Sequence, residues 1–411
     1  MSELIWLLLA APPGLMSLWI MICALVGSGR ARRLDQESPW LRLAVLIPAH
    51  DEEHTIAGCV RSILRSRYPR DRFDVYVVAD NCRDATAERA AAAGARVVIR
   101  DEPSRRGKGY ALNFLAAHLR ELPGYDGWVF FDADSHVDRH CLAWLARELS
   151  AGASCVQGFY GCRRARLKGS ALPVLAARLF NGSRPAGRSR LGFSAGLRGN
   201  GMALRPEVHA GSPWRDEALL EDWELALDLA ERGIAVRFCR EARVFAKSAP
   251  SRRAATEQRW RWEGARPRLI QDRLPWLLKN GLAKRNRLAL ESALDLVTPP
   301  LSILAASNAL IFTLATLSGA VSAACLAGAG LLSLSMSVLL ADRFDRPSVL
   351  RSALSQLPSF LLWKLSFYTR VLKASRGGPV PPTSWVRTER RAGEPDERRE
   401  PVLVSREEEP S

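Results

Sequence analysis

The acidic residues that follow short apolar runs are the side chains of this 411-residue chain best suited to chemistry. Asp132 and Asp134 come directly after the run 128–131, Asp80 ends the run 74–80, and residues 50–52 (His-Asp-Glu) follow the run 43–49. One carboxylate of the Asp132–Asp134 pair can bind Mg²⁺ or Mn²⁺ while the other faces a ribose or the same metal. An isolated Asp-x-Asp is usually a solvated turn, and the apolar run before this one favours a metal site.

Short β-branched runs alternate with helical patterns between residues 42 and 273. The pattern predicts strands at 43–49, 74–80, 95–100 and 127–134, and helices at 54–66, 84–94 and 107–121. Such alternation predicts an α/β fold with a mostly parallel sheet and helices on both faces. Ligands of these sheets bind beyond the carboxyl ends of the strands, so we expect the acidic residues to converge on one edge.

Two long uncharged segments predict transmembrane helices on both sides of this domain. Residues 4–27 form a helix of roughly 36 Å, enough to cross a hydrocarbon core of about 30 Å. The uncharged block from about 296 to 340 predicts a hairpin of two spans. Arg30, Arg32 and Arg33 follow the first segment and basic residues flank the second, so the positive-inside rule places the middle of the chain in the cytoplasm.

The remainder of the chain completes the predicted organisation. Residues 353–373 mix aromatic, apolar and basic side chains, which predicts an amphipathic helix in the membrane interface, with a third span as the alternative. The tail from about residue 390 is expected to be disordered. We therefore predict an N-terminal transmembrane helix (1–30), an α/β domain (40–275), a transmembrane hairpin (285–341), and an interfacial helix with a partly disordered tail (342–411).

The net charge limits the partners. The 59 Lys and Arg exceed the 43 Asp and Glu by 16, which suits nucleic acid, an acidic membrane surface or phosphorylated substrates. The chain carries no recognisable nucleic-acid motif and its basic residues cluster at the membrane flanks, so a lipid bilayer is expected as a partner and nucleic acid is not. The eight cysteines contain no C-x-x-C pair, which predicts reduced thiols and no zinc site.

Seven motifs stand in the order found in membrane-bound family-2 glycosyltransferases, which the chain resembles from about residue 40 to 341. They are VLIPAHDEE (45–53), VVADNCRDAT (77–86), RGKGYALN (106–113), FFDADS (130–135), LRGNGMALR (197–205), LLEDWELALDLAERG (219–233) and QRWRWEGAR (258–266). The Asp-x-Asp, the Glu-Asp pair and the Q-x-x-R-W element carry the resemblance jointly. QRWRW also fits the pattern of processive synthases of the cellulose, chitin, hyaluronan and poly-N-acetylglucosamine type.

This resemblance implies a GT-A fold that binds a UDP-sugar donor. Glu52 and Asp80 match positions that bind uracil and ribose. Lys108 would bring a cation and a helix N-terminus to the diphosphate. Asp132 would face the nucleotide and share a Mg²⁺ or Mn²⁺ ion held by Asp134, which stabilises the departing diphosphate.

Asp222 is the candidate general base that takes the proton from the acceptor hydroxyl in an inverting displacement. Adjacent carboxylates do not share a helix face, so Glu221 is expected to point elsewhere and to support Asp222. Acidic residues that complement a helix dipole are the structural alternative. Many processive relatives carry Thr where this chain has Leu220, which weakens the indication of processivity.

Two further motifs supply the acceptor side. Arg261 is expected to pair with the diphosphate, and Trp262 to stack on an acceptor sugar. Gln258, Gly199 and Asn200 are also candidate acceptor-binding residues, the last two at the start of the GNGMALR segment (199–205).

The sequence therefore predicts an inverting glycosyltransferase, integral to the inner membrane with several spans and a cytoplasmic catalytic domain. It would transfer a hexose or N-acetylhexosamine from a UDP-sugar to a polysaccharide or glycolipid. The alternative enzyme adds one sugar to a lipid-linked acceptor, which the small number of spans favours. A membrane-anchored basic binding or scaffold protein is the remote alternative.

Overall fold

The structure is a computed structural model that describes residues 2–29, 31–32, 40–122, 124–162, 171–246, 252–345 and 347–375. The helical backbone is described to residue 375, but the side chains of residues 252–262, 361, 365, 367–368 and 370–375 lie outside the described part.

The strands are β1 (Leu43–Ala49), β2 (Phe73–Asp80), β3 (Arg96–Arg100), β4 (Gly127–Phe130), β5 (His136–Val137), β6 (Cys155–Cys162), β7 (Met202–Leu204) and β8 (Val236–Ala246). The helices are α1 (Glu3–Gly27), α2 (Ile56–Leu64), α3 (Thr86–Ala92), α4 (Lys108–Arg120), α5 (Cys141–Ser150), α6 (Ala171–Arg178), α7 (Arg184–Arg190), α8 (Pro206–Gly211), α9 (Glu221–Glu231), α10 (Arg252–Ala283), α11 (Arg287–Val297), α12 (Leu301–Leu317), α13 (Val321–Phe344) and α14 (Leu350–Ser375). A π-helical turn, Leu179–Ser183, joins α6 to α7.

The strands form one mixed sheet in the order β3-β2-β1-β4-β7-β6-β8-β5. β3, β2, β1 and β4 run parallel, whereas β7 is antiparallel to both β4 and β6. β6 and β8 are parallel, and the short β5 pairs antiparallel with β8. The predicted α/β fold with a mostly parallel sheet is confirmed.

The register brings the predicted acidic residues together. Leu43 of β1 faces Phe73 of β2 on one side and Gly127 of β4 on the other, so the three strands end at one edge. Six of the seven β1 residues are buried, as expected for a parallel strand covered on both faces. Two apolar clusters flank the sheet: α2 and α5 pack on one face, and α4 and α9 on the other.

Among the described residues, two helices, α1 and α13, are long and apolar enough to cross a membrane. α11 and α12 meet at a bend of 75° and pass the same test when taken together. The bend lies at Thr298-Pro299-Pro300, where proline removes backbone donors and disfavours helical geometry in the residue before it. The predicted hairpin corresponds to α12 and α13, and the predicted interfacial segment lies within α14. The domain boundaries stay a prediction.

The apolar helices pack directly on the domain that carries the sheet. A Cβ at Gly187 of α7 would collide with the carbonyl of Cys23 in α1, so the two helices cross at backbone contact. Arg178 of α6 pairs with Asp342 near the end of α13 at 3.1 Å, and both side chains are buried. These contacts hold α6 and α7 in a defined position relative to α1 and α13.

Candidate active site

Lys108 connects three of the predicted motifs. It is the first residue of α4, and its Nζ lies 2.7 Å from Asp132 Oδ1, 3.0 Å from the carbonyl oxygen of Gly199 and 3.3 Å from Glu221 Oε1. Burial alone would lower the pKa of this ammonium, but Asp132 and Glu221 raise the pKa above its ordinary value. Lys108 therefore stays charged and holds Asp132 and α9 at one point.

Asp222 lies in the first turn of α9, beside this cation. Burial and the adjacent Glu221 raise the pKa of Asp222 to about 7, although Lys108 and Arg198 act in the opposite direction. The backbone N–H of Trp223 donates to Asp222 Oδ1 at 2.9 Å and orients the carboxylate. A carboxylate that titrates near neutrality suits general-base chemistry. Glu221 does not point elsewhere as expected from its adjacency, because its carboxylate also faces Lys108.

The loop between α7 and β7 closes the site from a third side. A Cβ at Gly199, whose φ is +71°, would lie 3.4 Å from Lys108 Nζ and 3.5 Å from Asp222 Oδ2. Glycine leaves this space open and tolerates the left-handed backbone. The buried Asn200 accepts from the backbone N–H of Asp132 at 3.3 Å and donates to Ser135 Oγ at 2.9 Å. Both ends of its amide thus brace the turn that carries Asp132.

The two predicted nucleotide-binding acids lie at the ends of β1 and β2. Asp80 is buried, and its Oδ1 lies 2.5 Å from Arg100 Nη1 and accepts from Asn81 Nδ2 at 3.0 Å. Glu52 is half-buried, and its Oε2 accepts from Thr55 Oγ1 at 2.6 Å at the start of α2. The carboxylate of Asp80 is therefore paired with Arg100, a residue that the motifs did not single out.

Asp132 and Asp134 fit a divalent cation by the chemistry of their donors. Both are half-buried carboxylates just beyond β4, and hard oxygen ligands are what Mg²⁺ and Mn²⁺ prefer. Mg²⁺ is commonly bound by one or two carboxylates together with substrate phosphates. Lys108 contacts Asp132 Oδ1, so it neutralises part of the negative charge of Asp132 and Asp134.

A second acidic group lies near Glu52. Asp51, Cys82 and Asp84 place one potential ligand atom each within 4.8 Å of one another. Asp51 Oδ1 accepts from the N–H of Arg83, and burial raises the pKa of the Cys82 thiol, which keeps it protonated. We therefore assign this group to the local turn structure and not to a metal site.

The side chains of Gln258, Arg261 and Trp262 lie outside the described residues, and their roles stay predictions.

Two residues near Asp222, Arg198 and Trp223, were not predicted from the sequence as part of the site. The guanidinium of Arg198 lies 5.6 Å from the Trp223 ring centre, and Arg198 directly precedes the GNG loop. Only their position in the sequence could have indicated these two residues, because Trp223 follows Asp222 and Arg198 belongs to the LRGNGMALR motif.

Comparison with known proteins gives a family match and several distant relatives. Residues 39–265 match the profile of the family described as "Glycosyltransferase like family 2". A probable glycosyltransferase YdaM of Bacillus subtilis is 27% identical over 232 residues, which cover 54% of this chain and 54% of that protein. A beta-monoglucosyldiacylglycerol synthase of Trichormus variabilis is 27% identical over 201 residues, 46% of this chain and 41% of that protein. The chain thus spans about half the length of these curated relatives.

Among solved structures, the mannosyltransferase PcManGT from Pyrobaculum calidifontis, in complex with GDP-Man and Mn²⁺, is 19% identical with a TM-score of 0.45. The match covers 80% of this chain and 99% of that one.

Proposed function

Because the chain belongs to glycosyltransferase family 2, we propose that it is a membrane-bound, inverting glycosyltransferase that adds a sugar from a UDP-sugar to a lipid-linked acceptor. The observation that carries the proposal is the half-buried Asp222, whose pKa is raised to about 7 and which adjoins a cation that also binds Asp132. The glycolipid synthase among its relatives agrees with a lipid acceptor.

The reaction is a single displacement. Asp222 accepts the proton of an acceptor hydroxyl while that oxygen attacks C1 of the donor sugar. The bond from C1 to the UDP oxygen breaks, UDP leaves with the bonding electron pair, and the configuration at C1 inverts. A base poised near pH 7 combines a substantial ionised fraction with enough basicity to take the proton.

The donor side is proposed to neutralise the leaving diphosphate. A divalent cation bound to Asp132 and Asp134 would supply Lewis-acid stabilisation of that charge. Lys108 adds a fixed positive charge, and the N-terminus of α4 adds the positive end of its dipole. Arg100 and Asp80 together are proposed to face the nucleoside end of the donor, with Glu52 on the neighbouring strand end.

A membrane acceptor is supported by the surroundings of α9. Leu220 and Leu227 of the Asp222 segment belong to one apolar cluster with Ala289, Ala293 and Leu296 of α11. α11 leads through the 75° bend into the apolar α12, so the base is connected directly to a segment that we propose lies in the bilayer. Arg32 lies just after α1, and the positive-inside rule places basic residues that flank a transmembrane helix on the cytoplasmic side. This agrees with a cytoplasmic active site.

The proposal is tested with the full-length protein purified into lipid nanodiscs. Labelled UDP-glucose and UDP-N-acetylglucosamine are supplied with Mn²⁺ or Mg²⁺, and the products are sized after organic extraction. We expect an extractable lipid that carries one sugar, and loss of the product in Asp222→Asn. Asp71→Asn is the matched control, since Asp71 is exposed in the turn before β2, away from the acidic strand ends.

Two results would contradict the proposal in different ways. A long polymer would replace single transfer with the processive synthesis that the QRWRW motif suggests. Transfer that is unchanged in Asp222→Asn would remove the assigned base.

A further inference from the structure

Arg198 differs from the buried arginines around it in its partners. Its guanidinium donates to the carbonyl oxygen of Leu197 at 2.9 Å and to that of Phe180 at 3.3 Å. Within the described part of the chain, it has no carboxylate at salt-bridge distance. An arginine has five N–H donors, so two carbonyl contacts leave most of its capacity for a ligand.

The neighbouring arginines form salt bridges with the nearby carboxylates. Arg188 binds Glu291 through two hydrogen bonds of 2.6 and 2.7 Å and reaches Asp295 at 2.6 Å. Arg184 lies 2.5 Å from the other oxygen of Asp295. These two carboxylates are therefore already paired, and Arg198 adds positive charge that they do not balance. Burial, together with repulsion from Arg188 and Arg184, lowers the pKa of Arg198 to about 10 although the carboxylates of Asp295 and Asp222 act in the opposite direction.

Trp223 provides a surface next to this cation. The guanidinium of Arg198 lies 5.6 Å from its ring centre, and that of Arg266 lies 5.3 Å from the same ring. Arg266 donates to backbone oxygens at the end of α11, including that of Thr298 at 2.6 Å, just before the bend into α12. Arg198 therefore lies beside Trp223, the residue that follows the base Asp222, and the same ring is near Arg266, which binds the chain segment that enters the apolar helices.

We propose that Arg198 binds the phosphate of a phosphorylated acceptor and so holds the attacking hydroxyl beside Asp222. The inference rests on the proposed function and names the class of acceptor that the same site takes. A guanidinium can bind a phosphate through two parallel hydrogen bonds, which fixes its position as well as adding affinity. An anion at this point also offsets the repulsion that Arg188 and Arg184 exert on Arg198. The phosphate belongs either to a lipid headgroup or to a soluble ester, and the experiment separates these sources.

Calorimetric binding to the full-length protein in neutral detergent, with UDP and Mn²⁺ present, tests the assignment. The soluble probe is glycerol 1-phosphate, and the lipid probe is phosphatidic acid in mixed micelles, with diacylglycerol micelles as the uncharged comparison. We expect wild type to bind at least one phosphate probe and Arg198→Gln to bind it at least tenfold more weakly. Arg198→Lys should recover part of the affinity, since it restores the charge without the paired donors.

Two controls make the result specific. Arg72→Gln removes a half-exposed cation that pairs with its neighbour Asp71, and it should bind both phosphate probes as wild type does. UDP affinity in Arg198→Gln should stay within about twofold of wild type, which also shows that the variant is folded. Binding of diacylglycerol micelles should be the same in both proteins.

The proposal is overturned if neither phosphate probe binds, if Arg198→Gln binds as tightly as wild type, or if UDP affinity falls together with phosphate affinity. The last result would move Arg198 to the donor side. If the protein binds phosphate through Arg198 but transfers no sugar, the proposed function is refuted and the phosphate site at Arg198 still stands.

Discussion

Glu221→Gln is expected to move the acidic limb of the pH–rate profile to lower pH. The general base must be ionised to act, and the pKa of Asp222 is raised to about 7 by burial and by Glu221. In wild type, about a tenth of the base is therefore ionised at pH 6 and about nine tenths at pH 8, so kcat/KM should rise roughly tenfold between them.

Removing the charge of Glu221 takes away the second cause of this shift. A neighbouring like charge typically changes a carboxyl pKa by about one pH unit or more. Lys108 stays charged through Asp132 at 2.7 Å, so its attraction for the Asp222 carboxylate persists. With a midpoint about one pH unit lower, the variant should be about fivefold faster than wild type at pH 6 and equal to it at pH 8.

The assay is the initial rate of UDP release between pH 5 and pH 9 at constant ionic strength, fitted for kcat/KM. Glu207→Gln is the matched control, since Glu207 is exposed in the first turn of α8, and its profile should overlay that of wild type. An identical midpoint in wild type and Glu221→Gln, or a wild-type rate that stays flat down to pH 5, would refute the electrostatic reasoning.

Three other changes have defined outcomes. The pKa of Asp222 is raised to about 7 from an ordinary value of 3.8, so this carboxyl destabilises the fold progressively above about pH 4 and to the full extent above about pH 7. Inactive Asp222→Asn should therefore melt roughly 3–6 °C higher than wild type at pH 8, and the difference should be smaller at pH 5; a lower melting temperature at pH 8 would contradict this. EDTA should abolish sugar transfer and Mn²⁺ or Mg²⁺ should restore it, whereas Asp134→Asn should need at least about tenfold more metal in a titration of rate against metal concentration; an unchanged requirement would exclude Asp134 as a ligand. Gly187→Ala forces α7 away from the Cys23 carbonyl, and a cost of at least about 2 kcal/mol should lower the yield of monodisperse protein in size-exclusion chromatography; a wild-type yield would show that the crossing tolerates separation.

The strands were predictable because their information is local. The strands β1, β2 and β3 fall within a residue of the predicted bounds. For β1 and β2 the reason is burial on both faces, which demands continuous apolar sequence. β4 ends at Phe130, four residues before the predicted end at Asp134, because the chain turns to present the two aspartates. The predicted convergence of acidic residues followed from parallel pairing alone.

The pairing partners within the site were not predictable in the same way. Lys108 contacts Asp132 and Gly199, which are 24 and 91 residues away, and nothing in its own segment encodes either partner. The geometry of an isolated helix also predicted, wrongly, that Glu221 points away from the site. That geometry does not take into account that α9 packs against the buried Lys108. Arg100 escaped notice for the same reason, since its role depends on pairing between β2 and β3.

Motif order and hydrophobic periodicity were sufficient to indicate the family, the sheet and the residues that face its carboxyl edge. Motif order and periodicity are properties of residue spacing along the chain, and this spacing is visible in the sequence without knowledge of the fold. Which of the 59 basic residues pairs with a carboxylate, and which is left to bind a ligand, depends on packing between distant segments. Arg188 and Arg198 are ten residues apart and alike in sequence terms, yet only the tertiary structure gives one of them two acids and leaves the other facing Trp223.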